Sequence, residues 1–203
     1  VRRLVQSPSA LSERSIAAWA IVVSVIFAFG MPWVSPDVFF YIGTGWVESH
    51  YHFSPYLTSA ADVPGFAHDQ MFSNIFPGFL GGTTSYGPLF QKLAALLAGL
   101  SGGNEKLALA LYKAAALALH GGCSAIVWYL APVRFKRVAL FSYAVNPLIC
   151  FSVLTCAHND CWMSLFVLLA LLDDVRRHWL WAGAALGAAF GIKYFPLVFF
   201  PVF

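Results

Sequence analysis

IAAWAIVVSVIFAFGMPWVSPDVFFY, residues 16–41, is the stretch that decides the fold. Residues 16–34 hold no charged side chain, and a helix of about 20 residues is long enough to cross the roughly 30 Å hydrocarbon core of a bilayer. Asp37 follows at the point where such a helix leaves the membrane. A carboxylate at that depth is costly to desolvate and usually has a function. The alternative is a simple helix N-cap, and at this point both interpretations stay open.

The composition favours a membrane protein along its whole length. Of the 203 residues, 60% are hydrophobic and only 10% are charged, with a mean hydropathy of +0.72. Soluble domains carry about a quarter charged residues. We therefore predict an all-α, polytopic transmembrane helix bundle. The chain starts at Val1 and stops at Phe203 within an apolar run, which predicts the N-terminal part of a longer protein.

The charges set the topology. Arg2, Arg3 and Arg14 flank the first apolar run, and basic turns follow at 134–137 and 176–177. These groups share the cytoplasmic side only if the short apolar helix 89–100 lies in the interface instead of crossing, which the positive-inside rule favours. The prediction is a single transmembrane domain, 1–203, in the plasma membrane with a cytoplasmic N-terminus. It has an extracytoplasmic loop at 35–104 with interfacial helices 37–49 and 89–100, and five spans: 16–34, 105–130, 138–157, 159–172 and 179–203, the last broken near 193–196.

Several side chains inside the apolar runs invite a structural interpretation. Gly183, Gly187 and Gly191 recur every fourth residue, which predicts a close-packing helix face. Lys113 either snorkels to the outer interface or contacts a phosphate. His120 is expected to be packed and hydrogen bonded. The four cysteines form no C-x-x-C pair, so we predict that they are packing residues.

A polar cluster at the outer side is the candidate site. His158, Asn159 and Asp160 form a short turn between two apolar runs, on the same side as Asp37. One interpretation is a helix cap; the other is a site built from two carboxylates and a histidine. Lys193 borders the predicted break and would meet a lipid phosphate or merely snorkel. No nucleotide-binding loop, zinc motif or nucleophile elbow is present in the sequence.

Six short motifs, in this order and spacing from about Ser35 to the end of the chain, resemble the membrane glycosyltransferases of the GT-C fold. Among these, the bacterial polyprenyl-phosphate-mannose-dependent mannosyltransferases are the most similar. The motifs are Asp37-Val38-Phe39-Phe40-Tyr41-Ile42-Gly43, Ser54-Pro55-Tyr56, Tyr86-Gly87-Pro88-Leu89, Asn146-Pro147-Leu148, His158-Asn159-Asp160 and Gly191-Ile192-Lys193-Tyr194-Phe195-Pro196.

The resemblance implies an inverting transfer of a sugar, mannose on this likeness, from a polyprenyl phosphate to an acceptor hydroxyl on the extracytoplasmic side, as in cell-envelope synthesis. The implied partners are this donor, a glycan or glycolipid acceptor and the bilayer, with no nucleic acid. Asp37 matches the catalytic position as general base. The remaining implied site residues are His158 and Asp160 as catalytic groups, and Tyr41, Tyr86, Asn159 and Lys193 as substrate-binding groups.

No cofactor requirement is visible in the sequence, and no metal ligand is assigned. The family often carries paired acidic residues at the first position, whereas here Asp37 follows Pro36, so dependence on a divalent metal stays open. The alternatives to an enzyme are a multi-spanning transporter and a non-catalytic membrane subunit. Transporters favour internal repeats and midplane polar sites. Here the carboxylates cluster at one rim and no repeat is found, which favours the enzyme.

Overall fold

In the computed structural model, which describes residues 12–196 and 198, the chain is helical and contains no β-strand in that part. Arg2, Arg3 and the end of the fifth predicted span lie outside the described residues. Short 3₁₀ turns connect eight α-helices within the described part: α1 Glu13–Ala28, α2 Asp37–Ser49, α3 Pro88–Leu100, α4 Glu105–Leu130, α5 Lys136–Ala144, α6 Pro147–Cys150, α7 Asp160–Val175 and α8 Trp179–Ile192.

The segment 35–104 is a packed layer instead of an open loop. α2 begins and ends where the sequence predicts, and it is buried from Val38 to Val47 except at Phe40, which is half-buried. It packs on α3 so closely that a side chain at Gly45 would overlap the carbonyl of Ala94. The turns between the two helices are tied to α2 through Asp69, whose carboxylate accepts hydrogen bonds of 2.8 Å from the indole of Trp46 and the phenol of Tyr51.

Only α4 is by itself long and apolar enough to cross a membrane among the described helices. Its 26 residues correspond to about 39 Å at 1.5 Å per residue, and its predicted bounds, 105–130, are confirmed. A second candidate is the pair Val133–Ala144 and Pro147–Thr155, which is bent by 42°. By length and composition, the described chain therefore offers one crossing helix, or two if the bent pair counts as one span.

The predicted third span, 138–157, is broken in the structure. Pro147 has no N–H to continue a helix, and Asn146 caps the new start by accepting hydrogen bonds from the backbone of Leu148 and Ile149. After α6 the chain widens into a π-helical turn, Phe151–Thr155. The helix at the first predicted span is also shorter than predicted, because α1 ends at Ala28, before Gly30 and Pro32.

The helix carrying the three spaced glycines behaves differently from expectation. A side chain at Gly183 or Gly187 would meet no atom within 4 Å in the described structure, so the predicted close-packing face is wrong there. Only Gly191 is tight: its carbonyl lies where a side chain on Gly87 would fall. At this junction the Gly87 N–H donates to the Ile192 carbonyl at 3.0 Å. α8 then ends and Lys193 is extended, which confirms the predicted break.

The two ends of the bundle differ in charge. The guanidinium of Arg176, after α7, lies 4.9 Å from the ring of Tyr129, at the end of α4. Lys136, at the start of α5, lies over Trp128 at 3.9 Å. Both basic turns therefore meet at one end, while Asp160 starts α7 at the other.

The packing predictions are confirmed for His120, whose Nε2 is 3.1 Å from the Ala144 carbonyl, and for the four free, buried cysteines.

Candidate functional site

Three predicted site residues meet at the end of the bundle opposite the basic turns. His158 Nδ1 lies 3.7 Å from Asp37 Oδ2 and 4.0 Å from Asp160 Oδ2. These distances exceed those of hydrogen bonds, so the imidazole sits between two carboxylates with room to bond to either. All three side chains are partly exposed. Asp37 and Asp160 thus lie on the same side of the structure, as the predicted topology requires.

Both carboxylates stand at helix starts. Asp37 is the first residue of α2, the cap position belongs to Pro36, and the Asp37 side chain makes no capping hydrogen bond. The helix-cap interpretation of Asp37 is therefore not supported. Asp160 likewise opens α7. The partial positive charge of a helix N-terminus stabilises a carboxylate there, which holds two negative groups near each other at modest cost.

The backbone before α7 positions His158. Ala157 adopts a left-handed conformation, with φ of 52°, which non-glycine residues seldom adopt without support from the surrounding structure. The support comes from the π-helical turn, because the His158 N–H donates to the Ser152 carbonyl at 3.2 Å. The backbone of His158 is consequently held in place at the start of α7 by the main chain of the π-helical turn.

Lys193 completes the charged group. Its Nζ donates to Asp160 Oδ1 at 2.7 Å, and both side chains remain partly open to solvent. Because Lys193 follows the last turn of α8, the pair ties the end of α8 to the start of α7. The ammonium keeps donors free for a further acceptor, such as a phosphate oxygen. Snorkelling alone does not describe it.

Aromatic residues and Asn159 form the inner wall. The Tyr41 ring packs edge-on against Tyr86 and Phe90 at 5.1 and 5.0 Å, and lies 6.3 Å from Tyr112. Burial raises the pKa of Tyr41 and of Tyr86, so both phenols stay protonated donors at neutral pH. Asn159 is 1% exposed, and its side-chain amide has no partner within the described residues. It occupies the cap position of α7 without a capping bond.

Lys113 supports this site from behind, which sequence reasoning missed. It is only 9% exposed, and its Nζ donates to the carbonyls of Gly30 and Leu154 at 2.8 Å and to that of Thr155. The predictions of snorkelling and of phosphate contact are both wrong, since all three donors are used. The only signal in the sequence was a lysine about two turns inside an apolar helix.

The described residues contain no group of three His, Cys, Asp or Glu side chains that could hold a metal ion. What the arrangement offers instead is a carboxylate, an imidazole, a carboxylate–ammonium pair and protonated phenols, brought together from four separate parts of the chain.

Comparison with known proteins identifies the family. The model of the family described as Alpha-(1->6)-mannopyranosyltransferase, N-terminal domain, matches residues 1–203. The chain belongs to this family. The resemblance to mannosyltransferases inferred from the six motifs is confirmed.

One curated relative is also a mannopyranosyltransferase. Alpha-(1->6)-mannopyranosyltransferase A of Corynebacterium glutamicum is 26% identical over 180 residues, which cover 86% of this chain and 35% of the relative. The chain thus spans about a third of the length of this mannopyranosyltransferase. No solved structure matches the chain.

Proposed function

We propose that the chain is the N-terminal part of a membrane mannosyltransferase that moves mannose from a polyprenyl phosphate to an acceptor hydroxyl on the extracytoplasmic side, with inversion. The observation that carries this proposal is the meeting of Asp37, His158 and the Asp160–Lys193 pair at one end of the bundle. Membership of the mannopyranosyltransferase family supports mannose as the sugar.

The proposed topology follows from the charges. The basic turns at one end face the cytoplasm, in accord with the positive-inside rule, and the carboxylates at the other end face outward. α1, α4, the bent pair α5–α6, α7 and α8 cross, and the packed segment 35–104 covers the outer face. α1 and α7 have 16 residues each, or about 24 Å, so flanking polar residues must lie within the headgroup region.

Asp37 acts as the general base in this reaction. The acceptor oxygen forms a bond to the anomeric carbon as the bond from that carbon to the phosphate oxygen breaks. The hydroxyl proton passes to Asp37, and the bonding electron pair leaves with the polyprenyl phosphate. The attack comes from the face opposite the phosphate, so the configuration inverts.

The neighbouring groups divide the remaining tasks. Lys193 neutralises charge on the departing phosphate while staying paired with Asp160. His158 lies between the two carboxylates and orients Asp37 or the acceptor. Tyr41, Tyr86 and Asn159 line the inner side and supply donors and an amide for sugar hydroxyls. The sugar of a polyprenyl phosphate lies at headgroup level, which is the depth of Asp37 in this topology.

The test is sugar transfer in membranes carrying the full-length protein, with radiolabelled polyprenyl-phosphate-mannose as donor. Asp37→Asn should lower the rate by at least about 100-fold at equal expression, because general-base catalysis contributes about 10²–10⁴-fold. Asp174→Asn is the matched control, since Asp174 is exposed at the far end of α7. Equal rates for the parent and Asp37→Asn would remove Asp37 from the mechanism. A parent that uses other lipid-linked sugars but not this donor would reject mannose.

A further inference from the structure

A polar pocket lies on the outer layer, away from the charged residues of the site. It encloses about 480 Å³ between the end of α2, the following turn and the start of α3, within the range of small-ligand sites. Its lining includes the carboxylate of Glu48, the amide of Gln91 and the rings of Phe53 and Tyr56. None of these groups is used in the proposed chemistry.

The pocket contains hydrogen-bond acceptors that the described part of the chain leaves unmatched. Gln91 is 1% exposed; its Nε2 donates to the Thr44 carbonyl at 3.1 Å, but its Oε1 has no partner. Glu48 Oε1 pairs with Lys92, whereas Oε2 is buried and also without a partner there. Buried polar atoms are nearly always hydrogen bonded. Neither oxygen has exposed surface in the empty pocket, so an occupant that brings its own donors would pair with them after a small side-chain rotation.

The lining selects the chemistry of that occupant. A phosphate or carboxylate would meet the negative charge of Glu48, which Lys92 balances without leaving an excess of positive charge at the pocket. A lipid tail would leave the acceptor oxygens unsatisfied. A neutral molecule with several hydroxyl donors and an apolar face to lie against Phe53 satisfies both requirements, and a sugar ring has both properties.

The pocket is connected to the catalytic groups through two tyrosines. The Tyr56 hydroxyl donates to the Tyr86 carbonyl at 3.0 Å, and the Tyr86 ring packs against Tyr41, one turn after Asp37. We propose that this pocket is the acceptor subsite, which binds a mannose ring of the acceptor glycan so that the next ring presents its hydroxyl toward Asp37. This inference rests on the proposed function.

Two substitutions test the subsite, each with a matched control in the same outer segment. Gln91→Met removes the unmatched amide, and Phe53→Ala removes a partly exposed ring at the pocket. Gln70→Met and Phe76→Ala are the controls, because Gln70 and Phe76 are exposed and lie outside the pocket. Phe53→Ala keeps the test sound if Gln91→Met fails to fold, which melting curves of all four variants will reveal.

Two readouts separate this inference from the proposed function. Saturation-transfer NMR measures binding of a soluble mannose trisaccharide to the full-length protein in detergent, without turnover. Transfer assays give KM separately for acceptor and donor. We expect Gln91→Met and Phe53→Ala to raise the trisaccharide Kd and the acceptor KM about 3- to 10-fold, the effect of one neutral contact. The donor KM and both controls should be unchanged.

The outcomes are distinct. The subsite is overturned if the parent binds no trisaccharide, even if transfer occurs. It is also overturned if the parent, Gln91→Met and Phe53→Ala bind the trisaccharide equally strongly. A rise in donor KM instead of acceptor KM overturns it as well. Binding that both substitutions weaken, in a protein that transfers no sugar, supports the subsite and counts against the proposed function.

Discussion

Replacing Lys113 with Met removes one ammonium and, with it, the donor for three carbonyls. These carbonyls come from two parts of the chain, the segment after α1 at Gly30 and the π-helical turn at Leu154 and Thr155. Carbonyls at a helix end lack partners within the helix, and a cation there is favourable. Met has similar length and flexibility, so the side chain still fills its space and the loss is chiefly one of hydrogen bonds.

The magnitude follows from the number of bonds. A hydrogen bond to a charged group contributes about 1.5–3 kcal/mol net of desolvation. The three bonds share one ammonium that is itself costly to bury, so we use the lower end of that range and expect the free energy of unfolding to fall by roughly 3–5 kcal/mol. That is a large part of the roughly 5–15 kcal/mol that stabilises a typical protein.

The assay is reversible unfolding of the full-length protein in mixed micelles by titration with dodecyl sulfate, followed by tryptophan fluorescence. Lys106→Met is the matched control, since Lys106 lies two turns earlier on the same helix and is exposed. The control should change the unfolding free energy by less than about 0.5 kcal/mol. A loss in Lys113→Met no larger than that of Lys106→Met would refute the reasoning.

Two further predictions concern the packing of the outer layer and its turns. Gly45→Ala should destabilise the protein by about 1–3 kcal/mol or more, because the new methyl overlaps the Ala94 carbonyl; Gly183→Ala, with open space around it, should be neutral or stabilising by up to about 1 kcal/mol in the same micelle titration. Hydrogen bonds from the Ser59 hydroxyl and N–H lower the pKa of Asp62. The stability that the Asp62 carboxylate contributes is therefore fully present above about pH 3.9, the pKa of aspartate in the unfolded chain. It is lost as the pH falls through the lower pKa of the folded state. Melting temperatures between about pH 6 and about pH 3 should fall less steeply for Asp62→Asn, and a parallel decline would contradict this.

The helices that the sequence predicted best carry local start signals. α2 follows Pro36 and opens with Asp37. α4 follows Asn104, whose side chain accepts from the Leu107 N–H at 3.0 Å. The broken third span was missed although Asn146-Pro147 is a restart signal of the same kind, because an apolar run on both sides outweighed it. The glycine spacing failed for another reason: periodicity shows which residues share a face, but not whether a partner covers that face.

Part of the candidate site could likewise be predicted from the sequence, and part of it could not. Asp37, His158 and Asp160 could be predicted to meet because each lies at the border of an apolar run, and the charges placed those borders on one side. Lys113 and Tyr56 could not, since their partners at Thr155 and Tyr86 are distant in sequence and are backbone carbonyls, which every residue carries. The roles of the predicted residues stay predictions until the variants are measured.

The junction between Gly87 and Ile192 has a consequence for synthesis. One backbone hydrogen bond of the outer layer forms only when the Ile192 carbonyl reaches the Gly87 N–H, and Ile192 is about a hundred residues further along the chain. Ribosomes add roughly 5–20 residues per second, so the layer waits about 5–20 s with this edge uncovered while the later helices insert. Lys193 arrives with the same helix end, so the charged group is assembled in the step that closes the edge. A nascent chain arrested before that point would carry Asp37 and His158 but lack the ammonium of Lys193.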